Sequence, residues 1–270
     1  MKNGNNEKNS IKDYVKKDEI VYPDDPHQHL FSAKQKKRKR TIDENYKYKP
    51  GFFTALTGAV LRPIAMIALP LAAAVTNGYT VKGRKNLKGI KGAVFVANHV
   101  HVMDCPLICS SVSFPRKTWF VTLEEVVDIP VAGFIVKSLG AVPIAGTLKG
   151  MRKFNEYLKE LLVKGKRICL FPETALWPYY EKIRPFKKGA FKMASDCDVP
   201  VVPVVYTFKT TKRGRKKFVL HICPPMKNDG LAPEVFAERV RQVFIKTADE
   251  FYGRNDSDFN LKQNEQTGNK

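Results

Sequence analysis

Between residues 93 and 223 six short apolar runs recur, rich in Val, Ile and Phe, and helical patterns separate several of them. They are Ala93 to Ala97, Thr118 to Thr122, Ala141 to Ile144, Ile168 to Phe171, Val199 to Phe208 and Phe218 to Cys223. Runs of this length with little polar alternation read as strands buried on both faces. Met151 to Val163 places Phe154, Tyr157, Leu158, Leu161 and Leu162 on one helical face, and Gly165 supplies the stop. Pro233 to Tyr252 repeats the pattern with Val235, Phe236, Val240, Val243, Phe244 and Phe251. Strands alternating with amphipathic helices predict an α/β fold, a sheet covered by helices.

What precedes this region is of another kind. Residues 1 to 50 are polar and carry thirteen Lys or Arg against eight Asp or Glu, with the densest basic run at Gln35 to Arg40. That composition predicts a solvated tail, or a polybasic segment drawn to anionic lipid. Phe52 to Val75 then holds a single charge in twenty-four residues. A membrane span needs about 20 apolar residues without a central charge, but Arg62 and Pro63 fall near the middle and Pro70 follows. The expectation is an apolar helical hairpin, two short helices broken at Arg62-Pro63 and lying in the membrane interface. The competing reading is a hydrophobic hairpin packed on the domain. The predicted boundaries are a basic tail over 1–45, an interfacial segment over 46–78, the main domain over 79–252 and a flexible tail over 253–270.

Across the whole chain, 47 Lys and Arg against 26 Asp and Glu give a formal charge of +21. So basic a chain has a polyanionic partner: nucleic acid, an anionic membrane surface or a phosphorylated substrate. Nucleic acid is disfavoured because the aromatic residues sit in apolar periodic segments, not interleaved with the cations. The five cysteines lack ligand spacing and are odd in number, which predicts free thiols in a reducing compartment. The first thirty residues hold no apolar run, so no cleavable secretory signal is expected.

Chemistry concentrates after the first strand, at Asn98-His99-Val100-His101-Val102-Met103-Asp104. Active groups of α/β sheets gather where strands end. If Asp104 opens the next helix, its carboxylate can reach one imidazole nitrogen of His99 and leave the other free as a general base. Asp104 also reads as a plain helix cap and His99 as a loop histidine. A metal site on His99, His101 and Asp104 would need further ligands, and His221 is the only other histidine of the folded region, so none is expected. Phe171-Pro172-Glu173-Thr174 puts a second carboxylate at a strand end, with Arg184, Lys187 and Lys188 behind it. Such cations suit a phosphate, or form a solvated basic face.

Taken in order, these blocks resemble the glycerolipid acyltransferase family, which contains the 1-acylglycerol-3-phosphate acyltransferases. Asn98, His99 and Asp104 match its Asn-His-x4-Asp block. Gly133 to Ala141 is similar to the second block, with Lys137 where Arg is usual. The third, Phe-Pro-Glu-Gly-Thr-Arg-Ser, is met by Phe171, Pro172 and Glu173, but Thr174 replaces the Gly and Leu176 the Arg. Val199-Pro200-Val201-Val202-Pro203-Val204 matches the fourth.

The resemblance implies a glycerol-3-phosphate acyltransferase-like mixed sheet and acyl transfer from a thioester, acyl-CoA or acyl carrier protein, to a lysophospholipid hydroxyl. It implies His99 as base and Asp104 as its orienter, with no cofactor beyond the donor substrate. Asn98, Lys137, Glu173, Thr174, Arg184 and Lys187 are the implied substrate contacts, with a cation downstream of the third block standing in for its missing Arg. Anionic membrane lipids are the expected partners, and the expected setting is a membrane with the active site on its cytoplasmic side.

Overall fold

A computed structural model describes residues 20, 22–28, 41–113 and 116–254. The basic run at 35–40 and most of the predicted C-terminal tail therefore lie outside the described residues.

After residue 79 all six strands of the pattern form, and a seventh, not predicted, precedes them at Thr80–Lys82. The strands are β1 (Thr80–Lys82), β2 (Ala93–Ala97), β3 (Thr118–Thr122), β4 (Ala141–Pro143), β5 (Arg167–Leu170), β6 (Val201–Thr210) and β7 (Lys216–Ile222). They form one seven-stranded sheet in the order β1-β7-β6-β2-β5-β3-β4. All neighbours are parallel except β6 and β7, which pair antiparallel, so the sheet is mixed. β2 lies at its centre between β5 and β6, and every residue of it is buried, as its unbroken apolar run requires.

The helices are α1 (Phe52–Asn77), α2 (Asp104–Ser113), α3 (Glu124–Val127), α4 (Ala132–Leu139), α5 (Leu148–Val163), α6 (Gly189–Asp196) and α7 (Pro233–Tyr252). Alternation along β2 splits the core in two. Val94 and Val96 join Phe154, Leu158 and Leu162 of α5, Phe191 of α6, and Phe236, Val240 and Phe244 of α7 on one face. Ala93, Phe95 and Ala97 join Leu107, Ile108 and Val112 of α2 on the other. Each cluster takes the stripe its helices' periodicity marks out.

Two expectations about the N-terminal region are corrected. First, the apolar stretch is one continuous 26-residue helix, not a hairpin, with Pro63 and Pro70 inside it. Arg62, just before Pro63, turns its Nε back onto the Gly58 carbonyl at 2.7 Å, a second donor to the carbonyl that its own backbone N–H faces one turn earlier. Nor is the helix a separate unit. It packs on α4 and α2, Leu69 and Ala73 meet the second core, and Gly58 sits so close that a Cβ would lie 2.1 Å from the Ser138 carbonyl oxygen.

Second, the region preceding residue 46 is part of the fold at both of its longer described stretches. Ile42 is a core residue, its N–H donating to Glu124 Oε2 (3.0 Å) and its carbonyl accepting from Gly146 (3.1 Å). Tyr22 stacks on Trp177 at 5.3 Å and donates through its hydroxyl to the Pro178 carbonyl. Average composition concealed these anchors because only a few residues in a charged stretch provide them.

Candidate active site

β2 delivers its C-terminal end to the loop 98–103, and α2 begins at Asp104. The geometry there is specific. Asp104 is 0% exposed, and its Oδ2 accepts three N–H groups: Val100 N at 2.6 Å, His101 N at 2.7 Å and His99 Nδ1 at 3.2 Å. Asp104 is thus both the cap of its own loop and the partner of His99. With Nδ1 donating to a carboxylate, Nε2 is the basic nitrogen. The imidazole keeps 21% of its surface in contact with solvent and stacks on Phe171 at 4.3 Å, so the pair is oriented yet accessible. His101 instead packs its ring on Phe218 and Tyr179, and burial lowers its pKa. Among the described residues no group of three or more His, Cys, Asp or Glu has a metal-binding arrangement.

The third block lies alongside. Loop 171–180 follows β5 and is stitched to the first block by backbone bonds, Trp177 N to His99 O (3.1 Å) and Tyr179 N to Val100 O (2.9 Å). Glu173 is 1% exposed. Its Oε2 accepts the His99 backbone N–H (3.2 Å) and Arg184 Nη2 (2.8 Å), and its Oε1 accepts the Arg184 backbone N–H (2.9 Å). Burial pushes the carboxyl pKa up, and the Arg184 guanidinium with these N–H donors pulls it back.

Several of the implied substrate contacts are consequently reassigned. Glu173 is spent on the protein's own backbone and on Arg184, with no surface left for a headgroup. Arg184, 3% exposed, gives Nη2 to Glu173 and the Ala175 carbonyl and Nη1 to the Pro26 carbonyl (2.7 Å), so it does not replace the missing Arg as a phosphate ligand. Asn98 is buried and clamps β2 to β6, its amide donating to Tyr206 O (2.9 Å) and accepting from Tyr206 N (2.8 Å). Lys137 lies in the last turn of α4, which abuts Lys117 and Thr118 where β3 opens, the opposite end of the parallel sheet from His99. None of these uses was legible from residue type, because a paired carboxylate and a free one are written with the same letter.

Thr174 and Lys187 stay at the site's surface. Thr174 is exposed and adopts φ +67°, the left-handed conformation that suits the family's Gly at this place. Lys187 is exposed, and its backbone N–H donates to the Pro172 carbonyl at 2.9 Å, which anchors its main chain beside the third block. One contributor was not anticipated: residues 22–28 pack on the outside of this loop, with Trp177 Nε1 donating to Gln28 O (2.9 Å) and His27 Nδ1 3.2 Å from Glu173 O. Tyr22 is the only described aromatic residue before 41, a signal for this docking that the charge of its surroundings masks.

A histidine-carboxylate pair at the C-terminal end of a central parallel strand, with a buried Glu on the next loop, is the arrangement the ordered blocks describe. Residues 78–207 match the family described as Acyltransferase. The chloroplastic 1-acyl-sn-glycerol-3-phosphate acyltransferase BAT2 of Brassica napus is 34% identical over 130 residues, 46% of this chain and 36% of its own. The human 1-acyl-sn-glycerol-3-phosphate acyltransferase alpha is 25% identical over 177 residues, 61% of this chain and 62% of its own. The chain thus spans less than two thirds of these relatives' length. Among solved structures, the 1-acyl-sn-glycerophosphate acyltransferase PlsC of Thermotoga maritima shares the fold, with a TM-score of 0.58 and 22% identity over 75% of this chain and 88% of that one.

Proposed function

We propose that the chain is an O-acyltransferase that moves a fatty acyl group from a thioester, acyl-CoA or acyl carrier protein, to the free hydroxyl of a lysophospholipid. The acceptor in this reading is 1-acylglycerol-3-phosphate and the product phosphatidic acid. The observation that carries it is the His99–Asp104 pair, its imidazole partly exposed and fixed at Nδ1.

His99 Nε2 takes the hydroxyl proton as the acceptor oxygen attacks the thioester carbonyl carbon. Asp104 holds the ring and stabilises the imidazolium. When the tetrahedral intermediate collapses, the C–S bond breaks and the thiolate leaves with the proton returned by His99. No enzyme nucleophile is needed, since the thioester is already activated. Lys187, exposed beside the third block, is the cation assigned to the acceptor phosphate.

Membrane association belongs to the same reading, with the site facing the cytoplasmic side. α1 is long and apolar enough to cross a membrane by length and composition. It nevertheless packs along the domain, while Phe52, Leu56, Val60, Ile64, Ile67, Leu71 and Val75 stay exposed at helical spacing. Such a stripe favours lying in the interface over crossing it. Ile129, Val131, Phe134 and Ile135, on and before the helix that α1 packs against, add to the exposed apolar surface.

The test is thiol release from palmitoyl-CoA with and without lysophosphatidic acid, in wild type and His99→Ala. Acceptor-dependent release lost in the variant is the expected result. Release with another lysolipid in place of lysophosphatidic acid would keep the chemistry and change the acceptor, the outcome that Leu176 at the block's Arg position favours. Full turnover in His99→Ala would overturn the assignment of the base.

A further inference from the structure

We infer that Arg184 is a positioning residue for His99, acting through the buried carboxylate of Glu173. The inference rests on the reading of His99 as the base. Two restraints hold that histidine from different sides. Asp104 fixes the imidazole at Nδ1, and Glu173 fixes the backbone by accepting the His99 N–H at 3.2 Å. The second restraint places a carboxylate in a site that gives it almost no water, so its charge needs a partner there. Burial alone drives Glu173 towards its neutral form, and the Arg184 guanidinium 2.8 Å away opposes that.

Arg184 is itself held by several partners. Its own backbone N–H donates to Glu173 Oε1, its Nη1 to the Pro26 carbonyl, and its Nη2 also to the Ala175 carbonyl. Its guanidinium lies over the Trp177 ring, 4.5 Å from the centroid. Trp177 N donates in turn to the His99 carbonyl. Arg184 therefore reaches both backbone polar groups of His99, the N–H through Glu173 and the carbonyl through Trp177. A guanidinium suits this place because one planar group serves a carboxylate, two carbonyls and an aromatic face at once. The strap of residues 22–28 closes the outer side of the same cluster.

A buried pair behaves asymmetrically on mutation. Removing one partner strands a charge, whereas replacing both by neutral groups of similar size is tolerated. Arg184→Met in the full chain is expected to lower kcat for acyl transfer about tenfold or more, the scale on which misplacement of a reacting group acts, with KM for lysophosphatidic acid changed by less than about twofold. Adding Glu173→Gln, whose amide oxygen still accepts the His99 N–H, is expected to recover most of the loss. Amide hydrogen exchange separates positioning from general destabilisation. The His99 N–H should exchange faster in Arg184→Met while that of Val94 in β2, bonded to Pro200 O at 3.0 Å, stays as protected as in wild type.

A raised KM with kcat intact, not rescued by Glu173→Gln, would overturn the proposal and return Arg184 to phosphate binding. Equal acceleration of exchange at His99 and Val94 would reduce Arg184 to a stability residue and would overturn it as well. If wild type transfers no acyl group to any lysolipid, the functional reading fails, and the exchange comparison still decides whether Arg184 fixes His99.

Discussion

Asp104 makes one oxygen serve three donors, and that economy sets what substitution does. In Asp104→Asn the single amide oxygen can keep the Val100 and His101 N–H groups, but the charge facing His99 Nδ1 is gone. The tautomer and the developing imidazolium then lose their support, so kcat is expected to fall by about two orders of magnitude or more, with only a small change in melting temperature. Turnover and a circular dichroism melt on the same sample check both halves. Thr174 offers the opposite sign. A Thr at φ +67° carries left-handed strain of about 1–2 kcal/mol, which Gly relieves while adding about 0.5–1 kcal/mol of unfolded-state entropy. Thr174→Gly is therefore expected to raise stability by roughly 0.5 kcal/mol, read from a urea titration. At this scale the sequence foretold one contact, that of Asp104 with His99, through their spacing. It did not show that Asn98, Glu173 and Arg184 spend their polar atoms internally, because such pairing depends on partners 108 and 11 residues away.

Elements were more legible than residues. The apolar runs at 93–97 and 118–122 and the amphipathic pattern at 233–252 coincide with β2, β3 and α7, since burial on both faces or on one stripe leaves a periodic trace. β1 pairs through only three residues, and its weak pattern reflects its place at the sheet edge. The apolar stretch at 52–75 misled for a definite reason. Propensity rules count Pro63 as a break, whereas the helix runs on through it, packed against α4 and α2. Gly58 is the close approach in that packing, so a branched side chain there has to push α1 off α4 or shift Ser138. Gly58→Val is expected to cost about 1–3 kcal/mol, the range for overpacking, and to make residues 52–77 more susceptible to limited proteolysis. An unchanged melt and digestion pattern would mean that α1 is not seated on the domain in solution.

At the scale of the whole molecule, charge and apolar surface are complementary means by which the proposed membrane association can act. The excess of +21 acts over distance and is screened within about 10 Å at 0.1 M salt, whereas the α1 stripe acts only on contact and is indifferent to salt. The two are separable by experiment. Replacing Leu56, Val60, Ile64 and Ile67 by Ser keeps every charge and leaves the core clusters intact, since these side chains point away from the domain. Wild type is expected to float with vesicles containing phosphatidylserine at both 0.1 M and 0.5 M NaCl. The serine variant should bind them at low salt and release at high salt, and neither protein should lose the thermal stability of the domain. Acyl transfer to lysophosphatidic acid in vesicles should follow the bound fraction, whereas transfer to a short-chain soluble acceptor should be unaffected. Retention of the serine variant at 0.5 M NaCl would place the apolar contact elsewhere, on the exposed surface of Ile129, Val131, Phe134 and Ile135.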